Sequence, residues 1–322
     1  MTYIFESGLA HHIEGLIQQK RADGYAYNSE EKLLKRFDTF CVQNYPELTT
    51  VTYEMAVKWS EARPGEGDAY HNRCMSMVKV LSEYILSLGQ EAYIPNFFCK
   101  AYRPVLYIPS KEEVKELLQK MDIRTSHNSE QFRLDRECKI LFLLYFCCGL
   151  RLSEGRLLKW EHIDLDKGIL TVLGSKGNKD RLVYLPQDSL PVLKNYKERQ
   201  EMLFPGIDWA FPGKDPHKPV SCSGVESSFN RHWAMLPVAR TVDKHPTPHC
   251  LRHAFVVERF NEWMHQGIDT NTMLPYLSRY LGHKSPDETY YYYHLAGKAF
   301  DTIREKDSVS GKVIPEVIPY EE

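Results

Sequence analysis

The sequence predicts a two-domain protein in which an all-α N-terminal domain precedes a mixed α+β domain that is mainly helical and contains a small antiparallel sheet. The first observation is length, because 322 residues are about twice the ~150 of an ordinary domain. The second is segment 92–109, where three prolines without a helical period predict an extended linker. The third is that strand-like alternation is confined to the part after this linker. We therefore place the domains at residues 1–104 and 105–322.

The first hundred residues predict four helices. Apolar side chains recur with helical spacing over residues 3–21, and again over 28–46, where a proline ends the pattern. A third helix is predicted over 52–62 and a fourth over 68–88, with Gly89 as its C-terminal cap. Each helix has one apolar face that must be buried, so the four predict a small bundle.

The second domain opens with helices whose ends are marked in the sequence. Ser110 stands three residues before Glu113, which is the spacing of a capping box at a helix N-terminus. A largely apolar helix is predicted over 129–148 and ends at Gly149. Ser153 then begins a short helix.

Two short segments of the second domain alternate between apolar and polar residues. They cover 168–173 and 181–185, and the turn between them contains two glycines and an asparagine. This pattern is typical of a hairpin of two antiparallel strands. Further helices are predicted at about 188–202, 223–235, 249–265, 270–281 and 286–297.

Composition excludes several classes of protein. Apolar residues make up 43% and charged residues 26%, which argues against disorder, collagen and coiled coil. The longest uncharged apolar run, 141–150, is half of the ~20 residues that cross a bilayer as a helix. No signal peptide is visible, and the eight cysteines form no CxxC pair, which indicates reduced thiols. We therefore expect a cytoplasmic protein with no membrane association.

Charge is unevenly distributed along the chain, although the formal net charge is only −2. Residues 1–100 hold 10 bases and 13 acids, and residues 305–322 hold 2 bases and 5 acids. The middle segment, 101–304, holds 29 bases and 25 acids. This excess is weaker than nucleic-acid-binding proteins usually show, so charge alone does not identify DNA as the partner. It is compatible with a local basic groove.

Two basic clusters lie on predicted turns. Arg151 follows the apolar helix and stands three residues before Glu154; taken alone, it is most simply an arginine that complements a helix C-terminus. The hairpin turn carries Lys176, Lys179 and Arg181, which are close enough together to contact a phosphate backbone. Taken alone, this turn is most simply a solvated one.

Two further clusters contain histidine. His249, Arg252 and His253 stand at the start of a predicted helix, where backbone N–H groups favour an anion. A zinc site at the two histidines is the alternative, but the glutamate of HExxH and a third ligand are lacking, so we predict no metal. His283 is followed by four tyrosines at 290–293, which taken alone are most simply an aromatic helix face on the core.

The order of these four clusters resembles the tyrosine recombinase family, also called the phage integrase family. GLRLSE at 149–154 resembles its first arginine box, and HCLRH at 249–253 resembles its HxLRH box. LGH at 281–283 with YxH at 292–294 resembles its nucleophile box. The resemblance covers roughly residues 105–295. The N-terminal hundred residues resemble the family only in size and helical character.

The resemblance implies a role for each matching residue. The catalytic set of the family falls on Arg151, Lys176, His249, Arg252, His283 and Tyr292. Glu154 matches the acid that supports the first arginine, and His294 matches the histidine after the nucleophile. Tyr292 is chosen because it lies nine residues after the LGH histidine and two before His294; Tyr291 and Tyr293 are the nearest alternatives.

The family pattern also guides the choice of lysine, and the sequence departs from that pattern after Glu154 and at Cys250, where an acidic or polar residue is common. SKG stands where the family typically carries GKG, and this match selects Lys176 over Lys179. Gly155 and Arg156 stand where the family usually places apolar helix residues. We therefore expect a looser helix behind Arg151.

These residue types suit the chemistry of a phosphodiester. Tyr292 would attack the scissile phosphate and leave a 3′-phosphotyrosine and a free 5′-hydroxyl. The two arginines would bind the non-bridging oxygens, with His283 as a third donor. Lys176 would protonate the leaving 5′-oxygen, and His249 would assist proton transfer at the tyrosine. The covalent link stores the bond energy, so we expect no cofactor, metal or ATP.

The resemblance implies a site-specific DNA recombinase that binds double-stranded DNA. Its N-terminal residues would form the core-binding domain, and four subunits would assemble on two DNA sites. We expect it to integrate, excise or transpose a mobile element, with an accessory protein or a second recombinase as a further partner. The alternatives are DNA relaxation of the type IB topoisomerase kind and a non-catalytic architectural DNA-binding role. Further DNA contacts are expected, against the alternative of solvated surface, at Lys32, Lys35, Arg36, Arg73, Lys79, Lys179 and Arg181.

Overall fold

A computed structural model describes most of the chain, and its contacts divide the chain into two compact units. The described residues are 3–61, 65–100, 106–124, 128–175, 179–242, 245–283 and 285–292, without the side chains at 175 and 179. The first unit is Met1–Val105 and the second is Leu106–Glu322.

Helices make up the regular structure of the first unit. They are α1 (Ala10–Ala22), α2 (Asn28–Asn44), α3 (Tyr53–Ser60) and α4 (Asp68–Ser87). Their apolar faces enclose one core, in which Leu34, Phe37 and Met75 are almost completely buried. Burial of such side chains stabilises each by about 1.5–3 kcal/mol relative to exposure, which is why the four helices pack together.

The prediction of a helix from residue 3 was wrong for its first turns. The carboxylate of Asp38, which is buried on α2, accepts hydrogen bonds from the backbone N–H groups of Glu6 (3.1 Å) and Ser7 (2.9 Å). These bonds hold the segment before Ala10 in a non-helical path that still buries Leu9. Apolar spacing does not reveal a long-range capture of this kind.

The second unit is mainly helical and contains a small antiparallel sheet. In chain order its elements are α5 (Lys111–Lys120), α6 (Ser129–Cys148), α7 (Leu152–Arg156), β1 (Ile163–Asp164), β2 (Ile169–Ser175), β3 (Lys179–Tyr184), α8 (Leu190–Leu203), α9 (Cys222–Trp233), α10 (His249–His265), α11 (Thr270–Leu281) and α12 (Asp287–Tyr290). Three short 3₁₀ turns join them within the described residues. The capping box predicted at the start of α5 is confirmed.

The sheet has the order β1-β2-β3, with both pairs antiparallel. Leu170 pairs with Val183, and both are buried on the core side of the hairpin. The strand β1 was not predicted, because two residues are too short to show an alternating pattern. The helix predicted over 286–297 begins as α12, and its part beyond Tyr292 lies outside the described residues.

None of the helices in the described ranges is long and apolar enough to cross a membrane.

Candidate active site

Two helix ends provide the framework of the site. The helix α6 ends at Gly149 and α11 ends at Gly282, both in the left-handed conformation (φ 63° and 67°) that glycine adopts without strain. A side chain at Gly149 would also place its Cβ 2.6 Å from the ring of Phe255. The last carbonyl groups of a helix lack helical partners and lie at the negative end of its dipole. They therefore attract cationic side chains.

Arg252 joins the two helix ends. Its side chain is almost completely buried on α10, and its Nη1 donates to the carbonyl oxygen of Gly149 (2.6 Å). Its Nη2 donates to the carbonyl oxygen of Leu281 (2.8 Å). Burial and the neighbouring charge of Arg151 lower the pKa of Arg252 to about 10, so the guanidinium keeps its charge at neutral pH.

Arg151 lies beside Arg252, directly before α7. Its Nη2 donates to the carbonyl oxygen of Gly282 (2.6 Å), and its Nη1 donates to Oε1 of Glu154 (2.7 Å). The same carboxylate accepts the backbone N–H of Arg151 through Oε2 (2.7 Å). One carboxylate therefore caps the short helix and orients the guanidinium that precedes it.

Arg181 was predicted as a DNA contact, and the structure places it differently. Its Nη1 and Nη2 donate to Oε1 (2.8 Å) and Oε2 (2.7 Å) of Glu154, and its Nε donates to the carbonyl oxygen of Tyr280 (2.8 Å). Only 9% of its side chain is exposed. Alternation along β3 places Arg181 on the same face as buried Val183, whereas Leu182 between them is exposed. The pattern in the sequence already contained this signal.

Glu154 is the carboxylate that the arginines share. Burial by itself would raise the pKa of Glu154, but hydrogen bonds from Arg181 and Arg151 outweigh burial and hold this pKa well below its usual range. The carboxylate is therefore ionised at neutral pH. Three guanidinium groups, those of Arg151, Arg181 and Arg252, surround this one carboxylate, which leaves the site with net positive charge.

His283 follows α11 and lies next to Arg252. Its Nε2 lies 3.0 Å from Nη2 of Arg252, and its Nδ1 lies 2.7 Å from Oγ1 of buried Thr289. Because a guanidinium only donates, Nε2 is the acceptor and Nδ1 carries the proton. Burial and the charges of Arg252 and Arg151 lower the pKa of His283 to about 3. Without a bound anion the imidazole is neutral and accepts a hydrogen bond through Nε2, whereas His283 was predicted to be a donor.

Tyr292 is buried, unlike the two tyrosines that precede it. It is 6% exposed, whereas Tyr290 and Tyr291 are 44% and 42% exposed. Its hydroxyl lies 2.5 Å from Nδ1 of His253 on α10. Burial raises the pKa of Tyr292 to about 12, and the charge of Arg252 only partly offsets this rise. The phenol is therefore protonated at neutral pH.

His253 was predicted as the last residue of the HxLRH box and as an alternative metal ligand, but not as a member of the catalytic set. His249, which was placed there, lies edge-on to His253 with ring centroids 4.6 Å apart. Burial and the charge of Arg252 lower the pKa of His249 to about 4, although the residue is exposed and solvent moderates this shift. The described residues contain no cluster of three His, Cys, Asp or Glu side chains that would suit a metal ion.

The expectation of a loose helix behind Arg151 was wrong. A Cβ at Gly155 would lie 2.5 Å from Cε1 of Tyr145 and 2.9 Å from Cδ1 of Leu141. The absence of a side chain therefore lets α7 pack directly on α6, where the Tyr145 hydroxyl donates to the carbonyl oxygen of Leu152 (2.8 Å). Arg156 donates to the carbonyl oxygen of Val220 (3.1 Å) on the other side.

Several predicted residues are not part of this cluster. Lys176, Tyr293 and His294 lie outside the described residues, as does the side chain of Lys179. The remaining candidates for DNA contact lie on α2 and α4 of the first unit, namely Lys32, Lys35, Arg36, Arg73 and Lys79. Lys32 is exposed, and Arg36 stacks on the ring of Tyr70 (5.2 Å). The other three lie 2.8–4.0 Å from carboxylates of their own unit.

The sequence is similar to known recombinases and integrases. A model of the phage integrase family matches residues 110–298. An integrase/recombinase of Sinorhizobium fredii (strain NBRC 101917 / NGR234) is 28% identical in an alignment 302 residues long that covers 87% of this chain and 90% of that protein. Tyrosine recombinase XerA of Pyrococcus furiosus is 32% identical over 191 residues, which are 59% of this chain and 57% of that protein.

Solved structures share the fold. The XerH site-specific recombinase bound to palindromic difH substrate has a TM-score of 0.62 at 18% identity and covers 87% of this chain and 79% of its own. The Tn1549 transposon integrase in complex with a circular intermediate DNA has a TM-score of 0.64 at 14% identity and covers 92% of this chain and 98% of its own. At such low identity these matches establish the fold, which is mainly helical with a small three-stranded antiparallel sheet.

Proposed function

The chain belongs to the phage integrase family, the tyrosine recombinases, and on that premise we propose that it is a site-specific recombinase acting through a 3′-phosphotyrosine intermediate. One observation carries the proposal. Arg151, Arg252, His283 and Tyr292 come from four separate segments and meet at one site, although 141 sequence positions separate the first from the last. Their chemistry matches the needs of phosphoryl transfer.

The proposed reaction is an exchange of one phosphorus–oxygen bond for another. The Tyr292 oxygen forms a bond to phosphorus as the bond from phosphorus to the 5′-oxygen breaks, and the phenol loses its proton. Lys176, which lies between β2 and β3 in the sequence, protonates the 5′-oxygen that leaves. Rejoining is the reverse of these steps with the 5′-hydroxyl of another strand, so no ATP is consumed.

Prior fixation of the arginines supports this reaction. Arg151 and Arg252 are both held by helix-end carbonyls, so their guanidinium planes have set orientations before DNA binds. Donors that are already oriented stabilise developing negative charge without the cost of reorganisation, and the loss of one typically costs ~10²–10³ in rate. Glu154 stays ionised and keeps Arg151 in place.

A phosphate in this site changes the state of His283. Burial and repulsion from Arg252 and Arg151 keep the imidazole neutral, and the negative charge of the phosphate offsets that repulsion. Protonation then turns Nε2 from an acceptor into the third donor of the set. His283 thereby becomes a donor only when the anion is present.

The remaining parts of the proposal concern partners. We assign residues 1–104 to a core-binding domain on double-stranded DNA and propose that four subunits act on two DNA sites. The integrase and transposon relatives favour the integration, excision or transposition of a mobile element. An accessory protein or a second recombinase is a further partner of such a reaction.

The test is covalent capture. The chain is incubated with DNA that spans the ends of the genetic element carrying its gene, nicked near the crossover, and the products are separated on a denaturing gel. Tyr292→Phe should abolish the adduct, whereas Tyr291→Phe, which changes an exposed neighbour, should retain it. DNA binding without an adduct in the unmodified chain would contradict the proposal, and relaxation without strand exchange would favour a topoisomerase.

A further inference from the structure

We propose that His253 positions the hydroxyl of Tyr292 and accepts its proton during the attack on phosphorus. This inference rests on the proposed function and extends it to a residue outside the matched catalytic set. It begins from the shortest side-chain contact of the tyrosine, the 2.5 Å between its hydroxyl and Nδ1 of His253. The two rings lie 5.3 Å apart with an interplanar angle of 35°.

The direction of this hydrogen bond follows from the protonation states. Burial raises the pKa of Tyr292 to about 12, so the phenol carries its proton and donates. Burial and the charges of His249 and Arg252 lower the pKa of His253 to about 3, so the imidazole is neutral. Its Nδ1 therefore offers a lone pair to the phenol, and its proton lies on Nε2.

Burial makes the contact specific. Tyr292 is 6% exposed and His253 is 8% exposed, so water has little access to the phenol from its own side of the site. A hydroxide or water base would have to displace this contact first. A neutral base already in contact with the reacting oxygen needs no such step.

His249 occupies a different place. It is exposed, and its described contact in this region is the edge of its ring against His253. A proton taken up by His253 thus arrives next to an imidazole that reaches solvent. We assign the first proton transfer, from Tyr292, to His253. His249 lies between His253 and solvent.

Charge around His253 decides when it acts. The groups that face it are His249 and Arg252 from α10, His283 from the end of α11, and Tyr292 itself. These cations and imidazoles oppose a proton on His253 until a phosphate binds and offsets them. In the reaction the Oη–H bond breaks and the Nδ1–H bond forms, while the Oη–P bond forms and the bond to the 5′-oxygen breaks.

Leaving-group substitution tests this assignment. One substrate carries the natural 5′-oxygen at the scissile phosphate, and the other carries a 5′-bridging sulfur, which leaves without a proton. His253→Gln should slow adduct formation ~10²-fold on both substrates, because the nucleophile still needs a base. Lys176→Ala should form the adduct slowly on the 5′-oxygen substrate and recover its rate on the 5′-bridging sulfur substrate, because sulfur leaves without a proton. His265→Gln, which alters an exposed histidine at the end of the same helix, is the matched control and should keep the unmodified rate.

A pH profile separates proton transfer from packing. The His253→Gln rate should rise about tenfold per pH unit between pH 6 and 9, since hydroxide must replace the base, whereas the unmodified chain stays nearly flat. DNA affinity and the unfolding temperature are measured alongside, and His253→Asn serves if glutamine disturbs the fold. Three outcomes would overturn the inference. They are an unmodified rate of adduct formation in His253→Gln, recovery of that rate on the 5′-bridging sulfur substrate, and a pH profile equal to that of the unmodified chain. No adduct from the unmodified chain would instead overturn the proposed function.

Discussion

The two sides of the site are held by different chemistry. On one side, the guanidinium groups of Arg151, Arg181 and Arg252 bind backbone carbonyls and Glu154; we call these three residues the arginine clamp. These groups keep their charge across the physiological pH range. On the other side, the side-chain hydrogen bonds involve imidazoles, between His253 and Tyr292 and between His283 and Thr289.

This difference teaches which part of the site is fixed and which part responds to its surroundings. The arginine clamp is tied to the ends of α6 and α11 and to β3, which belong to the folded core of the second unit. Tyr292, the proposed nucleophile, follows α12, a helix of only four residues. Variants in the clamp should therefore act on the bound phosphate, and changes in acidity should act first on the imidazoles.

The largest effect is expected from the centre of the clamp. Arg252→Lys keeps a positive charge, but the lysine ammonium lacks the planar guanidinium that can donate to two helix-end carbonyls and a phosphate at once. The rate of adduct formation should fall ~10²–10³-fold. The measurement is single-turnover cleavage of nicked DNA, with the DNA affinity followed in parallel.

Arg259→Lys provides the matched control for this variant. Arg259 lies seven residues further along α10, where it binds Glu262 (2.8 Å) and stacks on the ring of Phe255 (5.7 Å). Its replacement should change the cleavage rate less than twofold, because its contacts are outside the clamp. An equal loss of cleavage rate in both variants would show that disturbance of α10 as a whole, and not loss of the Arg252 guanidinium, causes the effect.

A smaller effect is expected at the edge of the clamp. Arg181→Met removes the guanidinium that donates to both carboxylate oxygens of Glu154 and should cost about 3 kcal/mol of unfolding free energy, because a buried carboxylate loses part of its compensation. Cleavage should slow about tenfold, since Arg151 is oriented through the same carboxylate. The checks are urea unfolding and single-turnover cleavage.

Salt dependence distinguishes this role from a DNA contact. A phosphate-binding arginine contributes about 0.9 to the slope of log affinity against log salt, so its loss would reduce that slope. Arg181→Met should leave the slope unchanged. Lys194→Met, at an exposed pair with Asp166 (3.3 Å), should change stability by no more than about 0.5 kcal/mol.

Part of this site was predictable from sequence because the motifs carry the relevant residues at fixed local spacing. The short segments around Arg151, Arg252 and His283 each place a polar side chain at a helix end, and helix ends are marked by glycine and by breaks in apolar periodicity. The mainly helical fold with a hairpin followed from the same patterns. These signals are local, and the structure brings the local pieces together.

The parts that were missed depend on contacts between distant segments. His253 meets Tyr292 only because the chain returns to α10 after 39 residues, and no periodicity encodes that meeting. The loop before α1 is set by Asp38, 31 residues away from Ser7. Arg181 is an intermediate case, because the alternation of β3 indicated an inward side chain while the basic turn suggested an outward one.

The smallest expected effect concerns acidity and the imidazole side of the site. Unfolded histidines take up a proton below about pH 6.5, whereas His253 and His283 in the folded chain have a pKa of about 3. The unfolded state therefore binds more protons between about pH 6.5 and 3, and stability falls as pH falls through that window. Each histidine that stays neutral adds up to about 1.4 kcal/mol per pH unit to this loss of stability, and partly exposed His283 adds less.

His253→Gln should accordingly show a shallower loss of unfolding free energy between pH 7 and 4.5 in urea titrations, while the exposed-site control His217→Gln keeps the unmodified slope. Equal slopes in all three proteins would mean that His253 is protonated in the folded state, and the nucleophile side would then be as insensitive to acidity as the arginine clamp.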